Sequence, residues 1–196
     1  SSNGGTTWGT AVIIDSNTTC FGVVVWYDRW TPGDNGNYIH IATADITPSD
    51  DIWYNRLDTT NDERLMAAAP TSTNASAGLG PLLTLGANNH SITKSTDGTL
   101  YIGLNDDTVS FVVRCSSNCG AASSWSNTSS NPMDNIANDF SLLMPLSGGD
   151  ILLINRDASA DDVRSKVWDD SAGSWSGAWT TIDGGAFENA GYDKNF

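Results

Sequence analysis

Lysine is almost absent from this chain. Lys94, Lys166 and Lys194 are the only three in 196 residues, and with six arginines they face 23 acids, giving a net charge of −14. A track for nucleic-acid phosphates needs clustered Lys and Arg to displace counterions, so this composition excludes a nucleic-acid binder. Glutamate is as scarce, only Glu63 and Glu188, and with so few strong helix formers outside 64–69 the sequence argues against helices. There is no run of 18 apolar residues, and therefore no segment long enough to cross a bilayer as a helix; no membrane insertion is expected. No Gly-x-Ser-x-Gly, phosphate loop or dinucleotide fingerprint occurs. His40 and His90 are the only two imidazoles, and each reads as a structural histidine, since a base also needs a placed nucleophile and an orienting partner.

What is present is turn chemistry. Asp supplies 21 of the 23 acids, Gly numbers 19, and Asn, Ser and Thr are abundant. Asp and Asn close turns through their own backbone bonds, so the chain reads as all-β. Eight Trp, five Tyr and five Phe supply an ordered core. Cys115 and Cys119 are spaced for a bridged loop, with reduced thiols as the alternative; a bridge implies an oxidising, extracellular or cell-surface setting, while Cys20 reads as a buried free thiol. The sequons at Asn17, Asn74, Asn89 and Asn127 are no more than this composition yields by chance. The absence of an initiator Met at Ser1 favours a processed or excised piece.

A repeat lies in the spacing. Three apolar segments, Phe21–Asp28, Thr99–Asp106 and Asp150–Asp157, each follow a tight turn and another apolar segment: Thr10–Asp15, Ser91–Ser95 and Phe140–Leu146. Each is followed by an alternating segment, Tyr38–Ala44, Val109–Cys115 or Val163–Asp169, and then by a segment led by Trp53, Trp125 or Trp179. Four antiparallel strands in a meander make one propeller blade, so the expected fold is a β-propeller-like array of four-stranded blades, with a β-sandwich or jelly roll as the alternative. The units fall at about residues 9–60, 90–130 and 139–184. An insertion over 58–89 is expected to hold a helical turn at Arg64–Ala69 and a strand at Leu82–Leu85.

The stretch Asp150–Asp183, with its apolar strand, Asp turn, Arg-x-x-x-Trp-Asp strand and Gly-x-Trp turn, resembles blades of sialidase-like and lectin-like β-propellers. Ser1–Trp8 is similar to the "Asp-box" of that group, Ser-x-Asp-x-Gly-x-Thr-Trp, with Asn3 in place of Asp. The resemblance implies a turn capped by the Asn3 side chain and a Trp8 ring packed between blades. It carries over no catalytic residue. None of the six arginines lies in the motif a sialidase would require, and three blades cannot surround a central active site.

Sugars stack their C–H faces on aromatics while polar neighbours bind their hydroxyls. Trp168 with Arg164 and Asp169, then Trp175 and Trp179, are therefore the leading glycan-binding candidates, followed by Trp30 in its Pro-Gly-Asp loop. Packing between blades is the competing role for each Trp. The pairs Asp106–Asp107, Asp161–Asp162 and Asp169–Asp170 raise calcium, but consecutive strand residues point to opposite faces, so turn formation is the expected role and a calcium site the alternative. No metal or cofactor is assigned. The expected function is a secreted or surface-associated, non-enzymatic propeller segment that binds a glycan or polysaccharide, or that associates with itself or with other blades. Alternatives are part of a sialidase-like glycoside hydrolase, or a structural subunit of an extracellular filament, sheath or virion.

Overall fold

A computed structural model describes residues 5–16, 20–45, 51–61, 63–66, 68–69, 71–77, 89–105, 110–128, 140–157 and 162–184. The fold is all-β, in three antiparallel sheets, none of them closed. The first runs β1 (Cys20–Tyr27), β2 (Tyr38–Asp45), β3 (Asp51–Asp58) and β4 (Glu63–Arg64), with β5 (Thr73–Asn74) also paired to β3. The second runs β6 (Asn89–Lys94), β7 (Leu100–Asn105), β8 (Ser110–Cys115) and β9 (Ser126–Asn127). The third runs β10 (Phe140–Pro145), β11 (Ile151–Asp157), β12 (Asp162–Asp169) and β13 (Ser174–Trp175), with β14 (Thr180–Gly184) also on β12. In every sheet, spatial order follows chain order, which is a meander.

The second sheet is covered on both faces, and its sequence shows why. Along β7, Leu100, Ile102 and Leu104 point one way, opposite Cys115, Val113 and Phe111 of β8. With Ile92 they bury against Ala42, Ala44, Ile52 and Tyr54 of the first sheet. The other face presents Tyr101 and Val112 to Leu143, Ile151, Leu153, Trp168 and Trp175 of the third. Each such aliphatic side chain contributes about 1.5–3 kcal/mol by leaving water. Gly103 marks a close approach of the second and third sheets: a Cβ there would lie 3.2 Å from Leu143 Cδ1.

The β6–β7 turn shows the part played by Asp. Asp97 accepts hydrogen bonds from the Ser95 hydroxyl and the Thr99 N–H (3.1 Å), and Gly98 takes the left-handed backbone (φ 94°) that closes the turn. Burial works against the Asp97 charge, but these bonds hold its carboxyl below the usual range.

The first unit is displaced by one strand from the sequence reading. Thr10–Asp15 is not a hairpin strand. It meets the rest of the chain through a bridge to Ala69, with Ser16 N–H to Ala69 O at 3.1 Å and Ala69 N–H to Ile14 O at 3.0 Å. The segment Phe21–Asp28 belongs to the first strand rather than the second, and Trp53 lies in the third strand rather than leading the fourth. The fourth place is filled by β4 and β5, from within the stretch assigned as an insertion. Arg64–Ala69 accordingly begins in a strand and not in a helical turn. The displacement has a physical cause. An apolar run looks the same whether one face or both are covered, and β1 leaves Val23 and Val25 60% and 45% exposed. The strand expected at Leu82–Leu85 lies outside the described residues.

Candidate functional site

Alternation along β12 puts Arg164, Lys166 and Trp168 on one face, and that face looks toward the second sheet. Trp168 is 1% exposed and packs edge-on against Trp175 at 5.5 Å; Trp175, itself buried, donates from Nε1 to Thr128 Oγ1 at 3.2 Å. Both indoles are core, so neither presents a free ring to a ligand. Asp169 is exposed, but its carboxylate is engaged by the Ser171 hydroxyl (2.7 Å) and the Ala172 N–H (2.9 Å), which hold it below the usual carboxylate range. Its neighbour Asp170 accepts from Arg114 Nη1 at 2.8 Å, Tyr101 Oη at 3.0 Å and Trp168 Nε1 at 3.4 Å. The Asp169–Asp170 pair thus closes a turn and ties the second sheet to the third. Asp106–Asp107 and Asp161 lie outside the described residues.

Trp179 is half-buried beneath two cations, with Arg164 at 4.3 Å and Lys166 at 4.8 Å from the ring centroid. Arg164 also pairs with Asp157 at 2.6 Å and donates to Asn155 Oδ1 at 3.2 Å. This patch retains solvent access but has little free aromatic surface.

Trp30 differs from the third-sheet tryptophans. It ends the single 3-10 turn Asp28–Trp30 between β1 and β2 and is 56% exposed. Trp26 and Tyr27 meet it nearly at right angles, with centroids at 5.7 and 6.4 Å, so two aromatic neighbours hold the ring while more than half of the residue stays open to solvent. Arg29 lies beside it, over Tyr27, and donates from Nη2 to Asn37 Oδ1 at 2.9 Å.

A buried polar network anchors this loop. Trp26 Nε1 donates to Thr31 Oγ1 (2.9 Å), and Thr31 donates in turn to the Lys94 carbonyl (2.8 Å) across the inter-sheet boundary. Lys94 Nζ bridges Asp28 (2.6 Å) and Asp34 (2.8 Å). Asp28 also contacts His40 Nε2 at 2.8 Å and accepts from the Tyr38 N–H at 2.9 Å, and His40 Nδ1 lies 2.8 Å from Tyr54 Oη. Burial opposes ionisation of Asp28, but the bonds from His40, Lys94 and Tyr38 hold its carboxyl well below the usual range. Burial pushes the His40 imidazole down, partly offset by Asp28, and it pushes the Tyr54 phenol up. A neutral ring that donates to Asp28 and accepts from Tyr54 satisfies all three groups.

An Asp–His–Tyr line of this order can activate a hydroxyl. Here Tyr54 is 1% exposed and packed on Trp125 at 5.1 Å, so no substrate reaches it and the line clamps the sheets. His40 is the satisfied structural histidine that its strand position suggested. Sequence reading passed over Asp28, Thr31 and Lys94. The available signal was Lys94 itself, one of three lysines, at the end of an apolar strand.

The disulfide forms between Cys115 and Cys119 (S–S 2.05 Å). Cys20, expected to be buried, is an exposed free thiol at the first position of β1. Its ligand atom lies within 4.8 Å of those of Asp15 and Asp45. Desolvation and the two carboxylates push the thiol up to about 11, so on its own it is protonated at neutral pH. Trp8, in the stretch resembling an Asp-box, is 79% exposed and not packed between sheets. No family model matches this chain, and no curated protein matches it.

Proposed function

We propose that this chain is a run of three propeller blades, lectin-like and non-enzymatic, that acts at a cell surface or outside the cell and binds glycans through Trp30. The observation that carries the reading is the Trp30 platform: an exposed indole held by near-perpendicular ring contacts with Trp26 and Tyr27, next in sequence to Arg29, whose guanidinium is bonded to the Asn37 amide. A rigid aromatic loses little entropy when a sugar stacks on it, and the neighbouring amide and guanidinium supply hydroxyl partners. The three consecutive meanders support the blade reading, as does the Asp97-capped turn, a shorter Ser-x-Asp-Gly-Thr relative of the Ser1–Trp8 pattern.

Glycan-array binding by the intact protein tests it. Trp30→Ala is expected to abolish binding while leaving the unfolding midpoint within the small range of surface substitutions, about 0.5 kcal/mol. Retention of full glycan binding by Trp30→Ala would refute the assignment.

A further inference from the structure

We infer that the bare outward strips of β1 and β10 are docking surfaces for each other, so that β10 of one copy packs beside β1 of a second copy of this chain. The inference rests on the reading of the three sheets as blades.

On the third sheet, alternation turns Leu143 toward the second sheet and Leu142 and Met144 away from it. Those two are each 43% exposed. Register places them opposite Ile154 and Leu152 of β11, which in turn face Ser165 and Val167 of β12. The result is an uncharged, largely apolar patch across three strands. On the first sheet the same alternation turns Val23 and Val25 outward, at 60% and 45% exposure. Their cross-strand partners Thr43 and Ile41, and Trp53 and Asn55 beyond them, are already buried. The bare apolar strip of the first sheet is therefore confined to its first strand.

First strands are also where the sheets meet inside the chain, since β6 lies against both β1 and β10. A further first strand set against β10 as β10 is set against β6 would cover Leu142 and Met144. Among the described strands, β1 offers such an edge, first in its sheet and apolar on its outward side. Neither strip carries a charge, so the net charge of −14 opposes the contact only at long range. The contact joins unlike surfaces, and two of them related by a two-fold axis close six sheets into a ring, within the range of about 4–8 blades that propellers adopt.

Sedimentation and light scattering of the purified chain test this. The expected mass is twice 20.8 kDa, and Val23→Asp/Val25→Asp or Leu142→Asp/Met144→Asp should each halve it. All four residues are exposed in the single chain, so the variants should keep the wild-type circular dichroism. Mixing the two variants pairs one intact β1 with one intact β10 and should restore a dimer. A wild-type monomer at high micromolar concentration would overturn the inference. So would a dimer indifferent to the β1 substitutions, or a mixture that stays monomeric. Small-angle scattering of the chain separates the two readings: a profile matching stacked sheets in a monomer removes only the docking, whereas a mismatch removes the blade reading itself.

Discussion

Acidification between pH 8 and pH 5 should weaken the fold through His90, before any carboxylate takes part. The ring is 8% exposed on β6 and lies against Gly22 of β1, so close that a Cβ there would be 2.6 Å from His90 Cε1. Burial pushes its pKa down from 6.5 to about 4, partly offset by the carbonyls of Ala42 and Gly22, to which the ring nitrogens make no hydrogen bond of ordinary geometry. The unfolded chain then binds a proton through a range in which the folded chain does not. Stability is therefore full above the unfolded pKa of 6.5 and is lost as pH falls toward the folded value of about 4. Linkage over that window gives a loss of about 2 kcal/mol by pH 5 and about 3 kcal/mol by pH 4. For a chain of this size, the pH 5 loss lowers the melting temperature by about 4–8 °C. Urea midpoints followed by tryptophan fluorescence at pH 8, 7, 6 and 5 measure it. His40, also pushed down by burial, adds to the loss with the same sign. His90→Gln removes the titrating group while keeping a polar side chain near the carbonyls, so its loss from pH 8 to pH 5 should shrink to the His40 part. An unchanged slope in His90→Gln would refute the reasoning.

Two further outcomes follow from packing. Trp168→Ala should cost about 3–5 kcal/mol in urea unfolding, the range for a buried aromatic, because it empties a site shared with Trp175 and removes a donor to Asp170; a loss below 1 kcal/mol would mean the indole is not core. Cys115→Ser/Cys119→Ser opens a loop of sequence separation 4, for which chain entropy gives about 2 kcal/mol. Denaturant midpoints for this variant and for the oxidised parent check that value.

The second and third sheets were legible because each has a second strand apolar on both sides: β7 is covered on both faces, and β11 buries Ile151 and Leu153 while its outward Leu152 and Ile154 are half-buried. β7 and β11 read as nearly continuous apolar runs between turn signals, and the strands on either side fall in place by alternation. The first sheet lacks such a strand at the expected place. β1 carries Val23, Val24, Val25 and Trp26 in succession, yet only Val24 and Trp26 pack toward the second sheet. Composition records how apolar a residue is, and not whether anything lies above it. That one ambiguity moved the first unit by a strand and turned β4 and β5 into an apparent insertion.

The same ambiguity decides the tryptophans. Trp168 and Trp30 both stand near Asp and Arg in sequence, and local chemistry places Trp168 ahead of Trp30. What separates them is the second sheet: its Tyr101 and Arg114, bonded to Asp170 of the third, close over Trp168, while Trp30 sits on a turn beyond the strands and stays 56% exposed. Arg114 lies 5.2 Å from the Trp168 ring although it stands 54 positions earlier in the chain, a contact that no short window along the sequence contains. Turn position is thus the better guide to an open aromatic in an array of stacked sheets, because strands bury their faces whereas the turns between them stay at the rim.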